Sequence, residues 1–319
     1  MSAIFRNAAA PASGIRSASA NTASAGATSA AGTGSAGIDA AGVSADARLH
    51  APARGLGETV VCLHSSAGTH GQWRGLVETL SARWRVITPD LHGHGGSPGW
   101  PAGAMDTLHV DAAAVARLAG PGPMHLVGHS YGAAVALQLA LRHPERVRSL
   151  TLYEPVVFGL LARSGQAEPA LEEIRDVAAS VAALVQAGQT HDAARVFVGY
   201  WGGSRAWAQL AEHQRQALVT RMPVVPRHFN ALFAARWSAE LLQERLRMPL
   251  LLLRGSATRA PARRVAERLA QALPQAQSVL IPDAGHMGPI THAQTVGHWM
   301  TAHIDPLLAR RIGAQAVMA

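Results

Sequence analysis

One serine in this chain stands where a nucleophile would. Gly128-His-Ser-Tyr-Gly132 follows the apolar run Met124-His-Leu-Val-Gly128 and opens the Ala-rich segment 133–142, so a strand, a sharp turn and a helix meet at Ser130. A turn that tight forces the serine into a strained backbone conformation, and the small residues two before and two after it prevent clashes with the neighbouring strand and helix. Its side chain then projects into a cleft, with the helix amino terminus beneath it to stabilise negative charge. A hydroxyl at neutral pH is a poor nucleophile and needs a base. The chain has 16 histidines. His286 is the candidate, just after the apolar run Gln277-Ser-Val-Leu-Ile281 and inside a Gly-His-Met-Gly turn. His92 and His94 share a Gly-rich loop but lack an obvious third ligand, so no metal is expected.

The elements that must position these residues are legible as short apolar runs separated by helical stretches. The runs 59–64, 84–89, 124–128, 147–153, 249–253 and 277–281 are near-continuously apolar, as parallel strands covered on both faces require. Helical segments at 72–82, 107–119, 131–143, 262–273 and 291–308 lie between or after them. The alternation predicts an α/β fold with a doubly wound, mostly parallel sheet. Residues 156–247 break the rhythm: they are helical with no convincing strand. Such an insertion belongs over the carboxyl ends of the strands, where open sheets bind ligands, and reads as a cap. The expected organisation is a low-complexity Ala/Ser/Gly tail over 1–44, a core made of 45–155 and 248–319, and the cap over 156–247.

Four blocks, Leu63-His-Ser-Ser-Ala-Gly68, Pro89-Asp-Leu-His-Gly-His-Gly-Gly-Ser97, the turn around Ser130 and Asp283-Ala-Gly-His-Met-Gly288, make the chain resemble the α/β-hydrolase superfamily in its capped serine-hydrolase branch. The resemblance spans about 58–306. It implies a cap after the sixth strand, Ser130 as nucleophile, His286 as base, and an oxyanion hole from the backbone N–H groups of Ser66 and Tyr131. Two such donors, already oriented where charge develops, contribute ~2.7–4 kcal/mol each. The family's usual His-Gly pair is His64-Ser65 here. Its usual Asp after the strand at 249–253 is also missing: Thr258 falls there, in Arg254-Gly-Ser-Ala-Thr-Arg-Ala-Pro261. Some relatives, notably among haloalkane dehalogenases, carry the acid at the end of the preceding core strand, and Glu154 occupies that place. Asp283 and an unassisted or water-supported His286 are the alternatives.

Composition narrows the class. Hydrophobic residues make up 48% and charged residues 15%, which excludes wholesale disorder. All 28 basic residues are Arg, giving a net charge of +8. They are scattered, with no aromatic-interleaved basic motif, so no nucleic-acid partner is expected. Residues 17–38 lack the large apolar side chains of a signal peptide or a membrane span. Cys62 is the only cysteine, which rules out an intrachain disulfide and points to a reducing, cytoplasmic setting.

Of 15 aromatic residues, eight fall between Val156 and Arg247. Tyr200 and Trp201 are expected to roof an apolar substrate pocket, with His129 beside it in the serine turn. A serine at the nucleophile position disfavours dehalogenase and epoxide-hydrolase chemistry, which attack with a carboxylate. Acyl transfer to water is left, with a small apolar ester or thioester as substrate and no cofactor. A meta-cleavage type C–C hydrolase using the same residues, and a non-catalytic ligand-binding member of the fold, are the alternatives.

Overall fold

The computed structural model describes residues 48–162 and 168–307. The tail expected over 1–44 lies outside the described residues. Seven strands form one sheet: β1 (Ala53–Arg54), β2 (Thr59–Leu63), β3 (Arg85–Ile87), β4 (Met124–His129), β5 (Val147–Tyr153), β6 (Leu250–Gly255) and β7 (Gln277–Ile281). Their order is β1-β3-β2-β4-β5-β6-β7; β1 pairs antiparallel with β3 and every other pair is parallel. The expected α/β, mostly parallel sheet is therefore present, and the six apolar runs are six of its strands.

Alternation along the strands explains why both faces are covered. Val60 and Cys62 turn to one side, where they pack with Leu76 and Leu80 of the helix Arg74–Leu80 and with Val296 and Met300 of the helix Ala293–Ile304. Val61 and Leu63 turn to the other, against Val115, Leu137 and Val265 of the helices Thr107–Ala119, Tyr131–Arg142 and Ala260–Ala272. The central strand β4 is buried along its whole length. Helix Tyr131–Arg142 lies against it, and its many alanines allow the close approach.

The chain leaves the sheet after β5, the fifth strand among the described residues, and returns at β6. Between them run the helices Pro169–Gln186, Thr190–Gly202, Glu212–Arg221, Val225–Ala234 and Ala239–Arg245. The third starts where the Gln214 side chain accepts the Ala211 N–H (2.8 Å). Among the described residues no helix is long and apolar enough to cross a membrane.

Sheet order reverses at β2, which has β3 on one side and β4 on the other. Such a switch point opens a crevice beyond the carboxyl ends of the strands. The loops after β2, β4, β5, β6 and β7 begin at that edge, and they carry Ser66, Ser130, Glu154, Thr258 and His286.

Candidate active site

The turn after β4 has the conformation that its glycines demand. Ser130 sits at φ 56°, ψ −118° at the start of helix Tyr131–Arg142. Its N–H donates to the Tyr153 carbonyl (3.1 Å), which ties the turn to β5. A Cβ on Gly128 would come within 2.5 Å of the Ala133 Cα, and one on Gly132 within 2.4 Å of the Leu63 and His64 carbonyl oxygens. Neither position tolerates a side chain without moving backbone.

His286 bridges two partners. Its Nδ1 lies 2.7 Å from Glu154 Oε2 and its Nε2 lies 2.9 Å from Ser130 Oγ. A carboxylate only accepts, so Nδ1 carries the proton and Nε2 accepts from the serine hydroxyl. Glu154 is fully buried, and the exposures of His286 and Ser130 are 3% and 5%. Glu154 leaves β5 at φ 44°. Its carboxylate accepts from the Gly255 N–H (2.8 Å) and the Thr258 hydroxyl (2.6 Å). A buried carboxylate is tolerated only with partners of this kind. Asp283 has no such placement: it is exposed, and its backbone N–H donates to Ser256 Oγ (2.8 Å).

Ser66 and Tyr131 line one pocket with Ser130. Neither backbone N–H is used by another group among the described residues, so both are available to an incoming oxygen. The His64-Ser65 pair holds this loop. His64 donates from Nδ1 to the Ser65 carbonyl (2.7 Å) and accepts the Leu91 N–H at Nε2 (3.0 Å), while Ser65 turns to Gln72 Oε1.

Two expected substrate contacts need correction. Tyr200 does not face the site: its hydroxyl donates to Glu173 (2.9 Å) and its ring lies under the Arg259 guanidinium (4.7 Å). Adjacent helical residues point about 100° apart. Trp201 alone therefore turns inward, with its ring 4.0 Å from that of His286. His129 is fully buried and lines neither cavity beside Ser130. It faces away because side chains alternate along β4. Its Nε2–H donates to the His286 carbonyl (2.8 Å), so it braces the histidine loop. Burial and the neighbouring His286 hold His129 well below the ordinary imidazole pKa.

The contacts that surround the site had no signal in the sequence. His228, from helix Val225–Ala234, stacks on the Tyr131 ring at 3.6 Å and is hydrogen-bonded to the Ser66 hydroxyl. His92 meets Asp111, which also accepts from the Tyr131 hydroxyl (2.7 Å). His50, His70 and Asp90 bring ligand-type atoms within 4.8 Å of one another and could hold a divalent cation. Both imidazoles already bond the carboxylate, at 2.9 and 3.0 Å.

Two spaces adjoin Ser130. A pocket of about 10 Å³, room for one water- or methyl-sized group, is walled by Val156, Phe158, Phe197, Phe229 and Leu232. A cavity of about 670 Å³ reaches from Ser66 and Ser130 past Trp201 to Arg221. With a strained serine, a bridging histidine, a buried carboxylate and two unused N–H groups, the site has the parts for acyl transfer.

Comparison with known proteins agrees with this fold. The family described as alpha/beta hydrolase fold matches residues 58–293. A pimeloyl-[acyl-carrier protein] methyl ester esterase of Nitrosomonas europaea is 30% identical over 247 residues, 75% of this chain and 93% of that protein. A thermophilic esterase from Thermogutta terrifontis superposes with a TM-score of 0.63 at 26% identity, covering 80% of this chain and 92% of that one. The enol-lactonase from Burkholderia xenovorans LB400 shares the fold at 21% identity, with a TM-score of 0.64 over 80% of this chain and 96% of its own. The chain belongs to the α/β-hydrolase family.

Proposed function

We propose that this α/β-hydrolase acts through an acyl-enzyme on Ser130, cleaving a carboxylic ester or thioester with a small apolar group at the scissile bond. The observation that carries the reading is the single His286 ring in contact with both Ser130 Oγ (2.9 Å) and Glu154 Oε2 (2.7 Å). Ser130 Oγ attacks the carbonyl carbon as its proton passes to His286 Nε2. Glu154 fixes the tautomer and stabilises the imidazolium. The Ser66 and Tyr131 N–H groups receive the developing oxyanion. His286 then returns the proton to the leaving oxygen or sulfur. Water enters, gives its proton to Nε2 and attacks the acyl-enzyme; the bond to Ser130 Oγ then breaks as Nε2 returns the proton to that oxygen, releasing the acid.

The helices between β5 and β6 serve as the cap in this reading, with Trp201 closing over His286 and the small pocket excluding bulky groups. The Nitrosomonas relative is named for a methyl ester, and a methyl-sized group is what the small pocket admits. On cysteine usage, with a single Cys62 that is buried and free, the proposed enzyme is cytoplasmic.

The test is fluorophosphonate labelling followed by peptide mapping. The adduct should sit on Ser130, and Ser130→Ala should lose both label and turnover of a p-nitrophenyl ester. Equal labelling of the variant would overturn the proposal.

A further inference from the structure

The two spaces beside Ser130 differ in charge as well as size. The small pocket is walled mainly by aliphatic and phenyl side chains. The large cavity is lined by Arg74, Arg221, His213 and His292, and Asp283 is the only carboxylate among its lining residues. Arg221 is held by a single carbonyl. It ends helix Glu212–Arg221, is half-buried, and donates from Nη1 to the Ala67 carbonyl (2.9 Å), one residue beyond Ser66.

That bond is its only one among the described residues, and no carboxylate there lies within ion-pair distance of it. Asp90 acts on it through space. The Asp90 carboxylate, however, is already taken by His50 Nδ1 (2.9 Å), the His70 ring (3.0 Å) and the N–H groups of His70 (2.7 Å) and Gly96 (3.0 Å). A half-buried charge with one carbonyl partner is costly unless something else meets it. Burial lowers the Arg221 pKa, the direction expected for such a group. The rest of its planar fork matches a carboxylate, phosphate or sulfonate in geometry.

We infer that Arg221 holds the anionic end of the substrate. The substrate is then an ester with a methyl-sized group in the small pocket on one side of the scissile bond. On the other side is a longer chain, in the large cavity, that ends in an anion. The inference rests on the ester-hydrolase reading of Ser130 and adds the class of substrate. A methyl ester of a diacid and an acetyl ester of a hydroxy acid share this chemistry.

The experiment pairs anionic with neutral esters: monomethyl against dimethyl glutarate, and acetoxybutyrate against its methyl ester. The first pair reports a small alcohol side, the second a small acid side. Wild-type protein should favour the anion in at least one pair by about tenfold in kcat/KM, with the preference shrinking as salt rises. Arg221→Lys should keep much of that preference, Arg221→Gln should abolish it, and Arg221→Glu should shift preference toward a cationic ester such as acetylcholine. Equal rates for anionic and neutral esters in both pairs would overturn the inference. So would a fall in both rates of Arg221→Gln that leaves their ratio intact, because Arg221 would then only pin the Ala67 loop.

Glutarate binding to Ser130→Ala, followed by calorimetry, needs no turnover. Binding that Arg221→Gln removes supports the anion site even if every ester proves inert, in which case the hydrolase reading alone fails. Active turnover of neutral esters without glutarate binding sinks the anion site and spares the hydrolase. If the Arg221 variants do not fold, competition by glutarate but not by glutaramide in the wild-type protein decides the question: inhibition by glutarate alone supports the site, and equal or absent inhibition overturns it.

Discussion

The Thr258 hydroxyl donates to Oε2 of Glu154 at 2.6 Å, the same oxygen that meets Nδ1 of His286 at 2.7 Å. Thr258, standing where the resemblance places an acid, thus hydrogen-bonds the carboxylate that meets His286. Glu154 reaches from the end of β5, and Thr258 approaches from the loop after β6. One side of the exchange supplies the charge and the other a hydrogen bond to it.

Glu154→Gln keeps the shape but loses the charged acceptor. Its rate should fall on the order of 10³–10⁴-fold in kcat, because the productive histidine tautomer is no longer enforced. Asp283→Asn, at an exposed position with no hydrogen bond to His286 among the described residues, should cost little. Steady-state kinetics on one p-nitrophenyl ester separates the two. Near-normal turnover in Glu154→Gln would remove this carboxylate from the mechanism.

Thr258→Val deletes one of the hydrogen bonds to Glu154 while preserving volume. A hydrogen bond to a charged group contributes ~1.5–3 kcal/mol, so a drop in kcat of about 10-fold to 100-fold, with KM little changed, is expected. Thr258→Asp should be worse than Val in the wild-type background, where two carboxylates would meet. In the Glu154→Gln background it should recover part of the rate. The ordering of the variants, rather than any single value, is the check.

Trp201 packs its ring 4.0 Å from that of His286 and borders both spaces beside Ser130. Trp201→Ala should raise KM and admit bulkier esters, so the ratio of butyrate to acetate ester turnover should rise. A similar loss for every ester, without a change in that ratio, would make Trp201 a packing residue only.

His64 and His94 are buried and neutral in the folded protein. Burial lowers their pKa values from 6.5 to about 4 for His64 and, with His64 itself contributing, to about 3 for His94. Below pH 6.5 the unfolded chain takes up protons that the folded chain refuses, so stability must fall as pH falls, over a window from about 6.5 down to about 4. Each site contributes a slope of up to about 1.4 kcal/mol per pH unit. Urea denaturation at several pH values should show this decline, and His94→Gln should reduce its steepness. A flat profile across the window would show that these rings are charged when folded.

The serine turn was legible because its requirements are local: Gly128 and Gly132 flank Ser130, and an apolar run and an Ala-rich helix adjoin it within a few residues. The parallel sheet was legible for a similar reason, since buried strands must be apolar wherever they lie in the chain. Choosing between Glu154 and Asp283 was a different matter. Both are acids after apolar runs and both have a positive φ; only the register of β5 beside β6, which sets Glu154 against the Gly255 N–H, determines which one reaches His286. The separation of Tyr200 from Trp201 likewise depends on how one helix is rotated over the sheet. Arg221 and Ala67 are 154 residues apart, and His50, His70 and Asp90 come from three separate segments of the chain; no local pattern marks such meetings. Local backbone geometry writes itself into neighbouring residues, whereas contacts between loops exist only after the strands have paired and the intervening helices have packed over their ends.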